Sequence, residues 1–217
     1  MEEEKDKQLS DNKYLEKQIL IVLGIALLFL IVGFLVLFNQ TESNRVNAIG
    51  LIWEKEMYGS ISFYVANVQG YSFDGQPINF KTNLRNDPRK LRKIPIEGGE
   101  LNLVKNKPTY ISLDFESGIE KCGHLALVHL GIFSANLRLN FETAAINEEI
   151  AIENKLPYIT CENSPDNSVF ILKTGDESKI QKISENCYHL IVNECEIIEV
   201  IERFEIEILS KLTGKSL

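Results

Sequence analysis

Residues 19–38 read ILIVLGIALLFLIVGFLVLF, a run of twenty residues without a charged side chain. At a rise of about 1.5 Å per residue, a helix of this length crosses the roughly 30 Å hydrocarbon layer of a bilayer. The run is longer than the apolar core of a signal peptide, and the polar residues 39–43 follow it in place of a small-residue cleavage site. The sequence therefore predicts an uncleaved, single-pass transmembrane helix.

This helix divides the chain into successive parts and sets its orientation. Lys13 and Lys17 lie close to the span on its N-terminal side, whereas Arg45 is the nearest cation on the other side. An excess of lysine and arginine marks the cytoplasmic end of a span, so we expect the N-terminus inside and the folded domain outside the cell membrane. The predicted parts are a cytoplasmic tail (1–18), the transmembrane helix (19–38), a linker (39–47) and an extracytoplasmic domain (48–217) with a lobe boundary near 95–108.

The part after the span is long enough to enclose a hydrophobic core, and the chain is acidic. It has 217 residues, an apolar content of 44% and a net charge of −8 at pH 7. This composition is typical of a globular protein rather than of a disordered or collagen-like one. Binding to the phosphate backbone of nucleic acids depends on lysine and arginine, so an acidic domain disfavours it. We therefore expect no nucleic-acid partner.

Four cysteines lie in the predicted domain, at Cys122, Cys161, Cys187 and Cys195. An even number in a segment placed outside the cell predicts two disulfide bonds, with three pairings to choose from. Between Cys187 and Cys195 runs a stretch that favours an extended strand, which would hold the two sulfurs about 20 Å apart, beyond the reach of a disulfide. We favour Cys161–Cys187 together with Cys122–Cys195.

Two alternatives for the cysteines are weaker but open. The first is a set of four buried, reduced thiols in a cytosolic domain. The second is a zinc site that uses Cys122 and His124, the one close pair of ligand residues. The CxxC spacing of structural zinc sites and of redox enzymes is absent. The sequence therefore predicts no metal and no cofactor.

The apolar pattern predicts an α+β fold, with antiparallel β-meanders, a small βαβ-like centre and a C-terminal amphipathic helix. Segments rich in β-branched and aromatic residues alternate with turn signals. The predicted strands span 49–57, 61–68, 77–84, 110–115, 138–145, 158–161, 168–173, 179–183 and 188–192. The predicted helices span 123–136, 148–155 and 196–212, with Asn147 as the cap of the second. Strands 168–173, 179–183 and 188–192 are expected to form the second meander.

The last predicted helix has an apolar stripe along one face, typical of a helix that covers one side of a sheet. Glu199, Arg203 and Glu207 lie on the opposite face at i,i+4 spacing, where we expect solvent. The stripe consists of Ile197, Val200, Ile201, Phe204, Ile208 and Leu212.

One short segment concentrates positive charge in this acidic domain. Asp87 followed by Pro88 is the signature of a short helix start. The cations on either side of it form a patch that would suit an anionic ligand or an acidic partner, although a solvated helix face is the more usual role of such residues. The patch consists of Arg85, Arg89, Lys90, Arg92 and Lys93.

No catalytic motif is recognisable: nucleotide-binding loops, nucleophile elbows and zinc-protease helices are all absent from the sequence. A hydrolase would have to use Asp114 and Glu116, at the end of a predicted strand, together with His124. Acids at exposed strand ends are common without catalysis. His129, on the apolar face of a predicted helix, is expected to be packed and hydrogen-bonded rather than a ligand. We predict no catalytic residue.

Several stretches carry a resemblance to a group of proteins. They are RNDPRKL at 85–91, CENSP at 161–165, VFILKTGDESKI at 169–180, ENCYHL at 185–190 and CEIIEVIERF at 195–204. Together they resemble small, uncharacterised single-pass membrane proteins from small-genome archaea, over most of residues 45–210. The four-cysteine framework is the specific part of the resemblance. It implies the membrane topology and the disulfide bonds, and it implies no activity.

These observations favour a membrane-anchored, extracytoplasmic interaction or structural protein of the cell envelope, such as a subunit of a membrane assembly. Its expected partners are the lipid bilayer, through residues 19–38, and a protein partner or further copies of itself. Two alternatives stay open: a membrane-tethered hydrolase that acts on envelope polymers, and a binding module for an anionic ligand.

Overall fold

The structure, a computed structural model, describes residues 23–25, 27–34, 44–72, 75–105, 107–119 and 125–214. The chain divides into two units, Met1–Arg45 and Val46–Leu217. In the first unit, the described residues 23–25 and 27–34 are helical with exposed side chains, and the predicted tail and the rest of the predicted span lie outside the described residues. Within the described residues, no helix is long and apolar enough to cross a membrane.

The second unit begins with a four-stranded sheet in the order β1-β2-β3-β4. The pairs β2/β3 and β3/β4 are antiparallel, which confirms the first predicted meander. Ile49 and Gly50 have positive φ values, 49° and 70° respectively, and turn the chain between β1 and β2. The strand predicted at 49–57 therefore begins at Leu51, two residues later than predicted. The strands are β1 (Arg45–Ala48), β2 (Leu51–Tyr58), β3 (Ile61–Tyr71) and β4 (Pro77–Leu84).

A six-stranded mixed sheet follows, in the order β5-β9-β10-β8-β6-β7. Its strands are β5 (Ile96–Glu97), β6 (Thr109–Leu113), β7 (Phe141–Ala145), β8 (Ser168–Thr174), β9 (Lys179–Ser184) and β10 (Cys187–Val192). Helix α1 (Leu125–Leu137) connects β6 to β7, and these two strands pair in parallel. This arrangement confirms the predicted βαβ-like centre. The predicted lobe boundary, 95–108, is the segment that leads from the first sheet to the second and contains β5.

Two sequence predictions about this sheet were wrong. The last three strands do not form a meander, because β10 lies between β8 and β9, parallel to β8 and antiparallel to β9. All of Ser168–Leu172 in β8 is buried, as expected of a strand with neighbours on both sides. Residues 158–161 are not a strand beyond one bridge at Tyr158, because the Asn163 side chain binds the backbone of Tyr158 and Thr160 in place of a ladder.

Helix α3 (Ile197–Thr213) is the centre of the domain. It packs on β9 and β10 of the mixed sheet and also contacts β3 of the first sheet, α1 and the 3₁₀ turn Lys90–Lys93. The apolar stripe lies in the core as predicted. Of the residues predicted on the opposite face, Arg203 is buried, whereas Glu199 and Glu207 are half-buried. Other elements of the domain pack against this side of the helix, and Glu202 and Glu205 are buried as well. A single core cluster includes residues from both sheets and from α3.

A second, smaller hydrophobic core lies against the mixed sheet and is cross-linked by a disulfide bond. Val169, Ile171 and Cys187 are buried there, with Ile159 and Cys161 packed against them. Cys161 and Cys187 are bonded with their Cα atoms 5.6 Å apart, which confirms this predicted pairing. Closing a loop of sequence separation 26 stabilises a domain by about 3.5 kcal/mol in the chain-entropy model. Helix α2 (Glu148–Asn154) precedes this region, and the Asn147 side chain caps it as predicted.

Candidate functional site

A buried carboxylate holds the chain at the point where β4 ends. Glu202, on α3, is 1% exposed and accepts hydrogen bonds from the backbone N–H groups of Arg85 and Asn86 and from Asn86 Nδ2, the last two at 3.1 and 2.9 Å. Burial raises the pKa of Glu202 to about 7, and the three N–H donors act in the opposite direction. Glu202 therefore sets the position of residues 85–86 against the helix.

One turn further along α3, Glu205 is fully buried and faces His129 of α1. His129 Nδ1 lies 3.0 Å from Glu205 Oε1, and Nε2 lies 2.8 Å from the carbonyl oxygen of Asn83. A carbonyl can only accept, so Nε2 donates to it. The hydrogen bond that His129 donates to the Glu205 carboxylate raises the pKa of His129 to about 9, and burial raises the pKa of Glu205. His129 is thus hydrogen-bonded, as the sequence predicted. Because both ring nitrogens are engaged, it clamps α1, β4 and α3 together and has no nitrogen free for a substrate.

Beside this clamp, an apolar pocket of about 170 Å³ opens between α1, α3 and β3. The Arg85 guanidinium carbon lies 5.9 Å from the centroid of the Phe63 ring, a cation–π contact at the pocket. The lining residues are Phe63, Arg85, Ala126, Val128, His129, Ile132, Ile198, Ile201 and Glu202. The walls are therefore mostly aliphatic and aromatic, and the charged groups are few.

A second pocket, of about 360 Å³, adjoins the same segment. The buried side chain of Leu91 anchors the 3₁₀ turn, so that Lys90 and Lys93 of this turn are exposed. Arg89 Nη2 pairs with Asp87 Oδ2 at 2.6 Å, and this hydrogen-bonded arginine lowers the pKa of Asp87. The lining consists of Asn86, Arg89, Lys90, Leu91, Lys93 and Glu199. We call this the basic pocket.

The predicted patch of cations is thus divided in the structure. Arg89, Lys90 and Lys93 line the basic pocket, and Arg85 lines the apolar pocket instead. Arg92 is exposed and lines neither of the two. The predicted helix start at Asp87 and Pro88 proves to be a single 3₁₀ turn, with Asp87 Oδ1 accepting from the Arg89 backbone at 3.0 Å.

The residues considered for hydrolysis have separate contacts. Asp114 Oδ1 accepts from the backbone of Ser117 at 3.2 Å, and Glu116 Oε1 accepts from Asn147 Nδ2 at 2.8 Å. His124 lies outside the described residues. In the described part of the chain, no three histidine, cysteine or acidic side chains are grouped as metal ligands would be.

Of the remaining cysteines, Cys122 also lies outside the described residues, so the predicted bond between Cys122 and Cys195 stays a prediction. No described cysteine is a free thiol.

Sequence reasoning missed Glu202, Glu205, Asn86 and Glu199 as parts of these sites. A signal was present for the two buried acids, because Ile201, Phe204 and Ile206 flank them in the sequence of the helix. A carboxylate among apolar neighbours on a helix needs a buried partner. No signal in the sequence identified those partners, which lie 117 and 76 residues away.

In comparisons with known proteins, no family model, no curated protein and no solved structure matches this chain.

Proposed function

We propose that this protein is a membrane-tethered, non-enzymatic interaction protein of the cell envelope, and that its folded domain binds an acidic protein partner at the basic pocket. The observation that carries the proposal is the pair Lys90 and Lys93. Among the described residues, neither ammonium group lies within ion-pair distance of a carboxylate. Both lysines face a concave surface in a protein whose net charge is −8.

The geometry of the basic pocket supports a protein partner. Arg89 is held in place by Asp87, and Leu91 fixes the turn that presents the lysines, so the cations are arranged before a partner arrives. Complementary charges accelerate association and discriminate against wrong partners more than they add affinity. An acidic segment of a neighbouring envelope protein is the ligand that this arrangement suits.

Two features support the tether and its orientation. The uncharged run 19–38 has the length of a membrane span. The Cys161–Cys187 disulfide is typical of a domain in an oxidising space outside the cytoplasm. The domain would then stand beside the outer surface of the cell membrane, with the N-terminus in the cytoplasm.

The tether is tested by fractionation. The full-length protein is expected in the membrane fraction, to resist alkaline extraction and to dissolve in detergent. Replacing both Leu27 and Leu30 by aspartate is expected to move it to the soluble fraction, because an aspartate at the centre of a span costs about 3 kcal/mol. The matched control is Ile152→Asp, at an exposed position of α2, which should stay in the membrane. A wild-type protein that is soluble without detergent would refute the tether.

The basic pocket is tested with an octaglutamate peptide, acetylated and amidated at its ends, by fluorescence anisotropy at low salt. The double variant Lys90→Glu, Lys93→Glu is expected to bind at least about tenfold more weakly, because like charges then face the peptide. The control variant Lys55→Glu, Lys81→Glu makes the same change of net charge at exposed strand positions and should stay within about twofold of wild type.

The two double variants separate a local site from a general effect of charge. If both double variants bind the peptide more weakly by the same factor, the binding reflects the net charge of the domain, and the basic pocket is not the site. If the wild-type protein does not bind the peptide, the proposed function is wrong.

A further inference from the structure

The apolar pocket has the size of one ring. Its volume is about 170 Å³, and an apolar cavity of about 150 Å³ lined by leucine, isoleucine and phenylalanine is known to hold benzene. Val128 and Ile132, at its edge, are 57% and 60% exposed although they belong to a helix that is apolar on every side. Such a helix is normally covered all round. The pocket is therefore shaped for a phenyl-sized or branched aliphatic group.

Among the described residues that line this pocket, the one charged side chain without a hydrogen-bond or ion-pair partner is a cation. Both oxygens of Glu202 accept N–H donors, and both nitrogens of His129 are hydrogen-bonded. Arg85 differs, because within the described residues its guanidinium group has no carboxylate partner and only the Phe63 ring beneath it. A guanidinium group recognises a carboxylate through two parallel hydrogen bonds. A ligand of this pocket should therefore have a carboxylate next to its apolar group.

The apolar and basic pockets are neighbours along two segments of the chain. Arg85 and Ile198 line the first, and the next residues, Asn86 and Glu199, line the second. One extended peptide can therefore reach both, with acidic residues at the basic pocket and an apolar residue beside them. Buried pockets that receive a single large side chain are where protein interfaces concentrate their affinity.

We propose that the apolar pocket receives one aromatic side chain of the acidic partner, and that Arg85 binds the carboxylate next to it. This inference rests on the proposed function and specifies the partner further: an acidic segment with a single embedded phenylalanine or similar residue. The basic pocket then supplies the charge attraction, and the apolar pocket supplies the anchor.

The test compares two fluorescent heptapeptides, acetyl-EEEFEEE-amide and acetyl-EEEAEEE-amide, on the full-length protein in detergent. Wild type is expected to bind the phenylalanine peptide at least about tenfold more tightly, since burial of a phenyl group contributes at least that factor. Ile132→Glu is expected to abolish this preference. Ile152→Glu changes an exposed isoleucine on α2, outside both pockets, and should preserve the preference. Circular dichroism establishes that both variants fold.

Arginine variants test the carboxylate contact. Arg85→Gln is expected to bind the phenylalanine peptide about tenfold more weakly than wild type, because a charge-assisted bidentate contact is lost. Arg92→Gln makes the same change of charge outside both pockets and should stay within about twofold of wild type.

The outcomes separate this inference from the proposed function. If wild type binds both peptides equally and the lysine variants still weaken them, the apolar pocket is not an anchor site while the basic pocket stands. If Ile132→Glu and Ile152→Glu reduce the preference equally, the phenylalanine binds elsewhere and the inference is wrong. If neither peptide binds, the proposed function and this inference both fail.

Discussion

Replacing His129 by leucine is expected to destabilise the folded domain by about 3–5 kcal/mol. Glu205 has no exposed surface, and its Oε1 atom has His129 as the ion-pair partner. Its other oxygen, Oε2, has no hydrogen-bond partner within the described residues. Removal of the histidine would leave a buried charge uncompensated, which is far more costly than the loss of an average hydrogen bond.

The companion variants make this expectation specific. Glu205→Leu should cost less, about 1–2 kcal/mol, because His129 is a quarter exposed and can stay neutral while Nε2 still donates to Asn83. The double variant His129→Leu, Glu205→Leu should be close to Glu205→Leu alone, since no buried charge is left. Urea denaturation measures all three. His189→Leu, on β10, is the control histidine and should cost less than about 1 kcal/mol.

If the two single effects simply add in the double variant, His129 and Glu205 do not form a coupled pair. The clamp would then have no energetic role, and the position of the apolar pocket would depend on packing alone.

The free energy of unfolding is expected to fall as pH rises from about 5 to 9. Glu202 has a folded pKa of about 7 against 4.5 in the unfolded chain, so its stabilising effect is complete below pH 4.5 and lost as pH rises through 7. His129 has a folded pKa of about 9 against 6.5, so its effect is complete below pH 6.5 and lost as pH rises through 9. Burial raises the pKa of Glu205 as well, which acts in the same direction.

The titration of Glu202 and the titration of His129 each change the free energy of unfolding by about 3 kcal/mol, since one unit of pKa corresponds to about 1.4 kcal/mol. Urea denaturation at pH 5, 7 and 9 measures the slope. Glu202→Gln is expected to flatten the curve between pH 5 and 7 and to leave the fall above pH 7. The double variant His129→Leu, Glu205→Leu, which leaves no unpaired buried carboxylate, should do the reverse. A stability that is constant or increases from pH 5 to 9 would show that these buried groups do not hold their protons in the folded domain.

Local chemistry made several elements predictable from the sequence. Pro77 and Leu84 were predicted as the ends of a strand and are the ends of β4. The cap by Asn147 and the turn at Gly59 follow from the preferences of single residues. Strand geometry excluded a bond between Cys187 and Cys195 and so reduced the three possible pairings to two, and the Cys161–Cys187 bond of the favoured pairing is present. For the strand ends, the cap and the turn, residues close in sequence contain the whole cause.

The order of strands and the burial of α3 could not be predicted in this way. Nothing within β8, β9 or β10 specifies that β10 inserts between the other two. Similarly, Arg203 was expected in solvent because the helix pattern shows one apolar stripe. In the structure it is 9% exposed, its Nε donates to the carbonyl of Ile94, and it pairs with Glu207. Burial of a second helix face depends on another element arriving there, which periodicity does not encode.

The candidate site shows the same division. The sequence by itself determined that cations cluster at residues 85–93, because they are neighbours in the chain, and that an uncharged run long enough for a membrane span precedes the domain. Only the tertiary structure decided which cations share a pocket, and that Glu202 and His129 lie beside Arg85. Those contacts join residues up to 117 positions apart, and a buried charge is tolerated only where the folded chain brings its partner to it.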